Sequence, residues 1–132
     1  MLAILTGAGC GVRPTGVIPG GPAPTITSTD VILYLVGPDG TLVRRTRVLT
    51  GETTAATPLQ SLLAGPTDAE RQEGLTSEVP VTTAAVIIRT GNTLILPIDI
   101  TALSGTAHAQ LGCTAATTGL SIAGIKAFTT CP

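Results

Sequence analysis

The chain has 132 residues, a net charge of −1, 43% apolar residues and only 11% charged ones. That length suits one domain around one core. With no basic stripe, one Tyr, one Phe and no Trp, little is available to neutralise phosphates or to stack on bases, so no nucleic-acid partner is expected. No stretch reaches the roughly 18 apolar residues that a membrane-spanning helix needs.

Residues 1–10 (MLAILTGAGC) are apolar, then small, then Cys10. This order is that of a secretory signal without its basic first part. Ala8-Gly9-Cys10 has the form of a bacterial lipobox, in which the Cys is lipidated and becomes the new N-terminus; Gly7 stands where such boxes usually carry Leu. The expectation is a lipoprotein signal remnant ending at Cys10, with the true start upstream. The plainer alternative is an ordinary first strand. One acyl chain holds a protein at a membrane only marginally, and lipidation of this kind supplies several. Residues 11–27 follow as a tether, since Pro14, Pro19, Pro22 and Pro24 with Gly11, Gly16, Gly20 and Gly21 suit neither a helix nor a central strand. Residues 28–132 are the expected folded domain.

The domain opens on residues 31–36 (VILYLV), a continuous apolar run expected to form a strand buried on both faces. Gly37-Pro38-Asp39-Gly40 is a turn. Residues 41–49 form a partner strand near an edge, and Arg44, Arg45 and Arg47 read as its solvated, aggregation-resistant face. Thr57-Pro58 marks a helix start with Thr57 as N-cap, and Leu59, Leu62 and Leu63 make one apolar stripe. Gly65-Pro66 stops this helix. Thr67 and Glu70 then form a capping box that starts a second half-helix, which Gly74 ends. Residues 84–90 and 93–100 are two strands joined by a Gly91-Asn92 hairpin turn. Pro97 demands an edge or bulge in the second of them.

Residues 104–118 are expected to be helical, with Ala107, Leu111 and Ala115 on one face, although Gly105 and Gly112 oppose helix. His108 and Gln110 are expected at water or at the core's edge. A final strand covers residues 120–129. The order is β-β-α-β-β-α-β, an α+β fold in which a small, mostly antiparallel sheet carries two helices on one face. If Cys10 is lipidated, two Cys remain. A Cys113–Cys131 disulfide then suits an extracytoplasmic chain and is worth roughly 3 kcal/mol; the alternative is two buried thiols.

The run 31–36, residues 62–71 (LLAGPTDAER), Gly74-Leu75 and the leader CGVRPTGV at 10–17 resemble the GerMN (sporulation and spore germination) domain, as carried by lipoproteins of high-GC Gram-positive bacteria. Gln110-Leu111-x-Cys113-Thr114 and the Cys131-Pro132 end resemble the same group. The resemblance spans nearly the whole chain. It implies a small α/β domain outside the membrane, associated with envelope and spore-related processes, and no catalytic residues.

Three functions compete. A binding or scaffolding lipoprotein fits the anchor, the tether and the low charge; its partner is an envelope protein of unknown identity, and it needs no cofactor. An envelope-polymer hydrolase needs a nucleophile–base pair, but His108 has no marked Ser partner and Asp99 reads as a turn cap. A small-ligand receptor needs a concave apolar pocket. No catalytic, metal or cofactor-binding residue is assigned: zinc takes about four ligands, and His108 is the only His. The charged corner 65–73 is the face to suspect for binding, against the plainer reading of a well-capped connector. Strand addition beside residues 93–100 is a further possibility.

Overall fold

The computed structural model describes residues 28–82, 87–126 and 130–132. Cys10, the tether 11–27, residues 84–86 of the expected third strand and residues 127–129 of the last one lie outside the described residues.

Strands β1 (Ser28–Val36) and β2 (Leu42–Thr50) form an antiparallel hairpin in unbroken register, from Ser28 opposite Thr50 to Val36 opposite Leu42. The Gly37–Gly40 turn closes it, with the Gly40 N–H donating to the Gly37 carbonyl. Helix α1 (Thr57–Leu63) and the five-residue α2 (Asp68–Gln72) follow. Next come β3 (Ile88–Thr90), β4 (Thr93–Ile95), a 3₁₀ turn (Ile100–Ala102), α3 (Gly105–Ala116) and β5 (Ser121–Ile122). The fold is α+β, mostly antiparallel, in the expected order once α1 and α2 are read as one broken helix.

One expectation is corrected at the level of sheets. Among the described residues there are two, β1-β2 and β3-β4-β5, rather than one. β5 joins β4 in parallel. The expected strand over residues 93–100 stops at Ile95, because Pro97 has no N–H for a ladder and Asp99 turns the chain. The Asp99 carboxylate accepts the N–H and hydroxyl of Thr101 and caps the 3₁₀ turn. The Gly91-Asn92 turn is as expected, with Thr90 paired to Thr93.

Apolar periodicity sets the core. Leu33 and Leu35 of β1, Leu59, Leu62 and Leu63 of α1, and Ala107, Leu111 and Ala115 of α3 meet Leu94, Leu96 and Ile122 in one buried cluster. Helix α3 forms despite Gly105 and Gly112 because Ser104 accepts the Ala107 N–H as N-cap and because its apolar stripe is buried; packing outweighs propensity. Thr57 is not the N-cap of α1. That position is Ala56, and the Thr57 hydroxyl instead accepts the Thr54 N–H at 2.7 Å. A turn from Thr54 to Thr57 therefore leads into the helix one residue earlier than the Thr-Pro signal implies.

Candidate functional site

The corner between α1 and α2 is built from local signals and then locked by β2. Gly65 takes φ +86°, a conformation that costs side-chain-bearing residues 1–2 kcal/mol, and the chain turns there. Thr67 and Glu70 exchange both bonds of a capping box: the Glu70 N–H donates to the Thr67 hydroxyl, and the Thr67 N–H to the Glu70 carboxylate. Glu70 is only 2% exposed, so its charge must be matched inside the protein.

Arg47 matches it. The Arg47 guanidinium grips both carboxylate oxygens of Glu70, with Nε at 3.0 Å. It also donates to the carbonyls of Ser61 and Gly65, each at 3.2 Å. One side chain thus satisfies the end of α1, the corner and the start of α2. Arg45 makes a bidentate pair with Glu73 at 2.7 and 2.8 Å and lies 3.8 Å from Glu70. Burial alone would raise the Glu70 pKa. The Arg47 hydrogen bonds, the Thr67 N–H and the two guanidinium charges outweigh it and hold the carboxyl below the usual glutamate range.

The Arg cluster is therefore not simply a solvated face. Arg44 is exposed, but Arg45 and Arg47 are committed to α2. The corner 65–73 is a connector whose charges largely meet one another. Its exposed Asp68 and Arg71 pair as well, at 2.7 Å.

A second polar assembly closes the other edge of β1. The Gln110 amide nitrogen donates to the Tyr34 carbonyl and to the Ser77 hydroxyl, each at 3.1 Å, and its oxygen accepts the Glu78 N–H at 2.9 Å. The Thr114 hydroxyl accepts the Tyr34 N–H at 3.1 Å. Side chains of α3 thus stand where a third strand would bond, and Val36 pairs next to them with Thr76. The expectation that Gln110 lies at water or the core's edge is overturned. It is fully buried, because the free backbone edge of β1 needs a donor and an acceptor there. A Gln in the apolar stripe with Thr114 one turn later was the sequence signal for it.

Cys113 and Cys131 form a disulfide, with Cα atoms 5.7 Å apart. The nearby Tyr34 hydroxyl donates to the Pro132 carbonyl at 2.8 Å, so the tail is held twice. His108 Nε2 lies 2.8 Å from the Ile100 carbonyl. A carbonyl only accepts, so this nitrogen carries a proton and the ring braces the 3₁₀ turn. Asp99 is spent on capping, and its hydrogen bonds from Thr101 hold its carboxyl below the usual aspartate range. Among the described residues no group of three or more His, Cys, Asp or Glu is placed to hold a metal ion, and no helix is long and apolar enough to cross a membrane.

A partly open cavity of about 280 Å³ lies between α3 and β5. Gly112, Ala115, Ala116, Leu120, Ile122 and Lys126 are among the residues that line it. Compared with known proteins, the chain matches no family model, no curated protein and no solved structure.

Proposed function

We propose that the chain is a lipid-anchored, extracytoplasmic binding or scaffolding module of a bacterial cell envelope, of the GerMN kind, tethered through Cys10 and engaging an envelope protein. The observation that carries the location is the Cys113–Cys131 disulfide, since such bonds persist in oxidising compartments and are rare in the cytosol. The lipobox-like Ala8-Gly9-Cys10 accounts for the third Cys. The scaffolding reading is supported by how the charged and polar side chains are spent: Arg47, Glu70, Gln110 and Asp99 all hold backbone.

Mass spectrometry of the protein from host membranes, with and without reductant, tests this. The expected result is a diacylated or triacylated Cys10 N-terminus and a Cys113–Cys131 linked peptide. An intact Met1 with three free thiols overturns the location and with it the function.

The cavity favours a second reading, a receptor for a small apolar ligand with an anionic end near Lys126. Its volume is just under the usual range of ligand pockets, about 300–1,000 Å³. Saturable binding of a medium-chain fatty acid, abolished by Ala115→Leu, would support it; titration calorimetry showing no heat would end it.

A further inference from the structure

Among the described residues, nothing pairs with one long edge of the β2 backbone. Tyr34 and Val36 direct their N–H and C=O groups away from β2, to Gln110, Thr114 and Thr76. In an unbroken antiparallel ladder, bonded and non-bonded pairs alternate. Tyr34 opposite Arg44, Ile32 opposite Thr46 and Asp30 opposite Val48 are therefore non-bonded pairs. Arg44, Thr46 and Val48 must then point their own N–H and C=O groups outward. Among the described residues no backbone group meets them. Their side chains are exposed too, and Val48 is 66% exposed.

Proteins usually guard such an edge with Pro, with a bulge or with charge. β2 has no Pro and no bulge over its nine residues. Of its three Arg, Arg45 and Arg47 are paired with Glu73 and Glu70. Only Arg44 guards the edge.

We propose that this edge pairs antiparallel with the same strand of a second copy, about a two-fold axis through Thr46, joining the two hairpins into one continuous four-stranded sheet. About Thr46 the residues of β2 match in part: Arg45 mirrors Arg47 and Val43 mirrors Leu49, whereas Arg44 mirrors Val48 and Leu42 mirrors Thr50. Pairing there places Val43 against Leu49 of the other copy on one face. On the other face Thr46 meets Thr46, and Arg44 meets Val48. Arg45 falls opposite Arg47, but each is already neutralised within its own chain. This register alone overlaps all nine residues, and aliphatic and Thr–Thr cross-strand pairs stabilise a sheet. The isologous arrangement is the commonest way for a chain to close on itself. The inference rests on the geometry of β1 and β2 and is independent of the anchor.

Sedimentation equilibrium of the full chain carrying Cys10→Ser, which removes cross-links through that thiol, tests it. The expected result is a reversible monomer–dimer equilibrium. Thr46→Pro removes an outward N–H that β1 does not use, and so one hydrogen bond from each copy at the axis. It should weaken the dimer at least about tenfold while the circular dichroism is unchanged. Val48→Glu, facing Arg44 of the other copy, should tighten it several-fold, and Val48→Lys should weaken it. If Thr46→Pro fails to fold, the opposite signs of the two Val48 variants decide. A monomer at every concentration, or a dimer on which Val48→Glu and Val48→Lys act alike, overturns the proposal.

Discussion

Arg47 shows how much one side chain can organise. It is charged, sits on a strand, and holds α1 by the Ser61 carbonyl, the corner by the Gly65 carbonyl and α2 by the Glu70 carboxylate. Removing one partner of a buried ion pair costs about 3–5 kcal/mol, because the other charge stays in a medium that cannot solvate it. Arg47→Ala should therefore lower unfolding stability by about that much in urea titrations, a large part of a typical domain's 5–15 kcal/mol. Glu70 gives a signed dependence on pH. Its folded pKa is depressed, so its contribution is complete above the ordinary glutamate value of about 4.3. That contribution is lost as pH falls through the lower folded value. In Glu70→Gln the urea midpoint should fall less steeply with acid than in the unaltered chain; parallel curves would show that Glu70 contributes nothing pH-dependent. Gln110→Ala should cost about 1–3 kcal/mol, since it strands the Tyr34 carbonyl and the Glu78 N–H.

At the scale of elements, the chain's short signals act over short distances, and those are the parts legible in the sequence. The Thr67–Glu70 capping box, the Gly91-Asn92 turn, the Gly65 stop and the Asp99 cap each involve residues within a few positions of one another. What was not legible is what lies far apart in the chain. Nothing near Arg47 announces that its carboxylate partner is 23 residues on, and nothing near Tyr34 announces that its edge is closed from a helix 76 residues away. Short elements such as α2 are too brief to persist alone and depend on these distant contacts. Gly74, which ends α2, takes φ +85°, and a Cβ there would come within 2.9 Å of Pro38 Cγ. Gly74→Ala combines left-handed strain with that clash. It should destabilise the domain by about 1–2 kcal/mol, measured as a lowered urea midpoint.

At the scale of the whole molecule, the disulfide ties the tail to α3, and α3 lies against β1, β5 and α1. Replacing Cys113 and Cys131 together with Ser should lower stability by roughly 3 kcal/mol; an unchanged thermal midpoint would mean that the tail is held by its other contacts. The α+β class and the helix–strand order follow from apolar spacing. The division into two sheets does not, because the sheet boundary depends on Pro97 and Asp99 turning the chain out of β4 and on where β5 then meets it.

Tyr34 is the chain's only tyrosine, and there is no tryptophan. Its ring is buried and its hydroxyl rests on the carbonyl of Pro132. The protein thus carries its one tyrosine fluorophore at the junction of the first strand and the tail. Its ultraviolet absorption and emission, read without any label, report directly on whether that tail is docked.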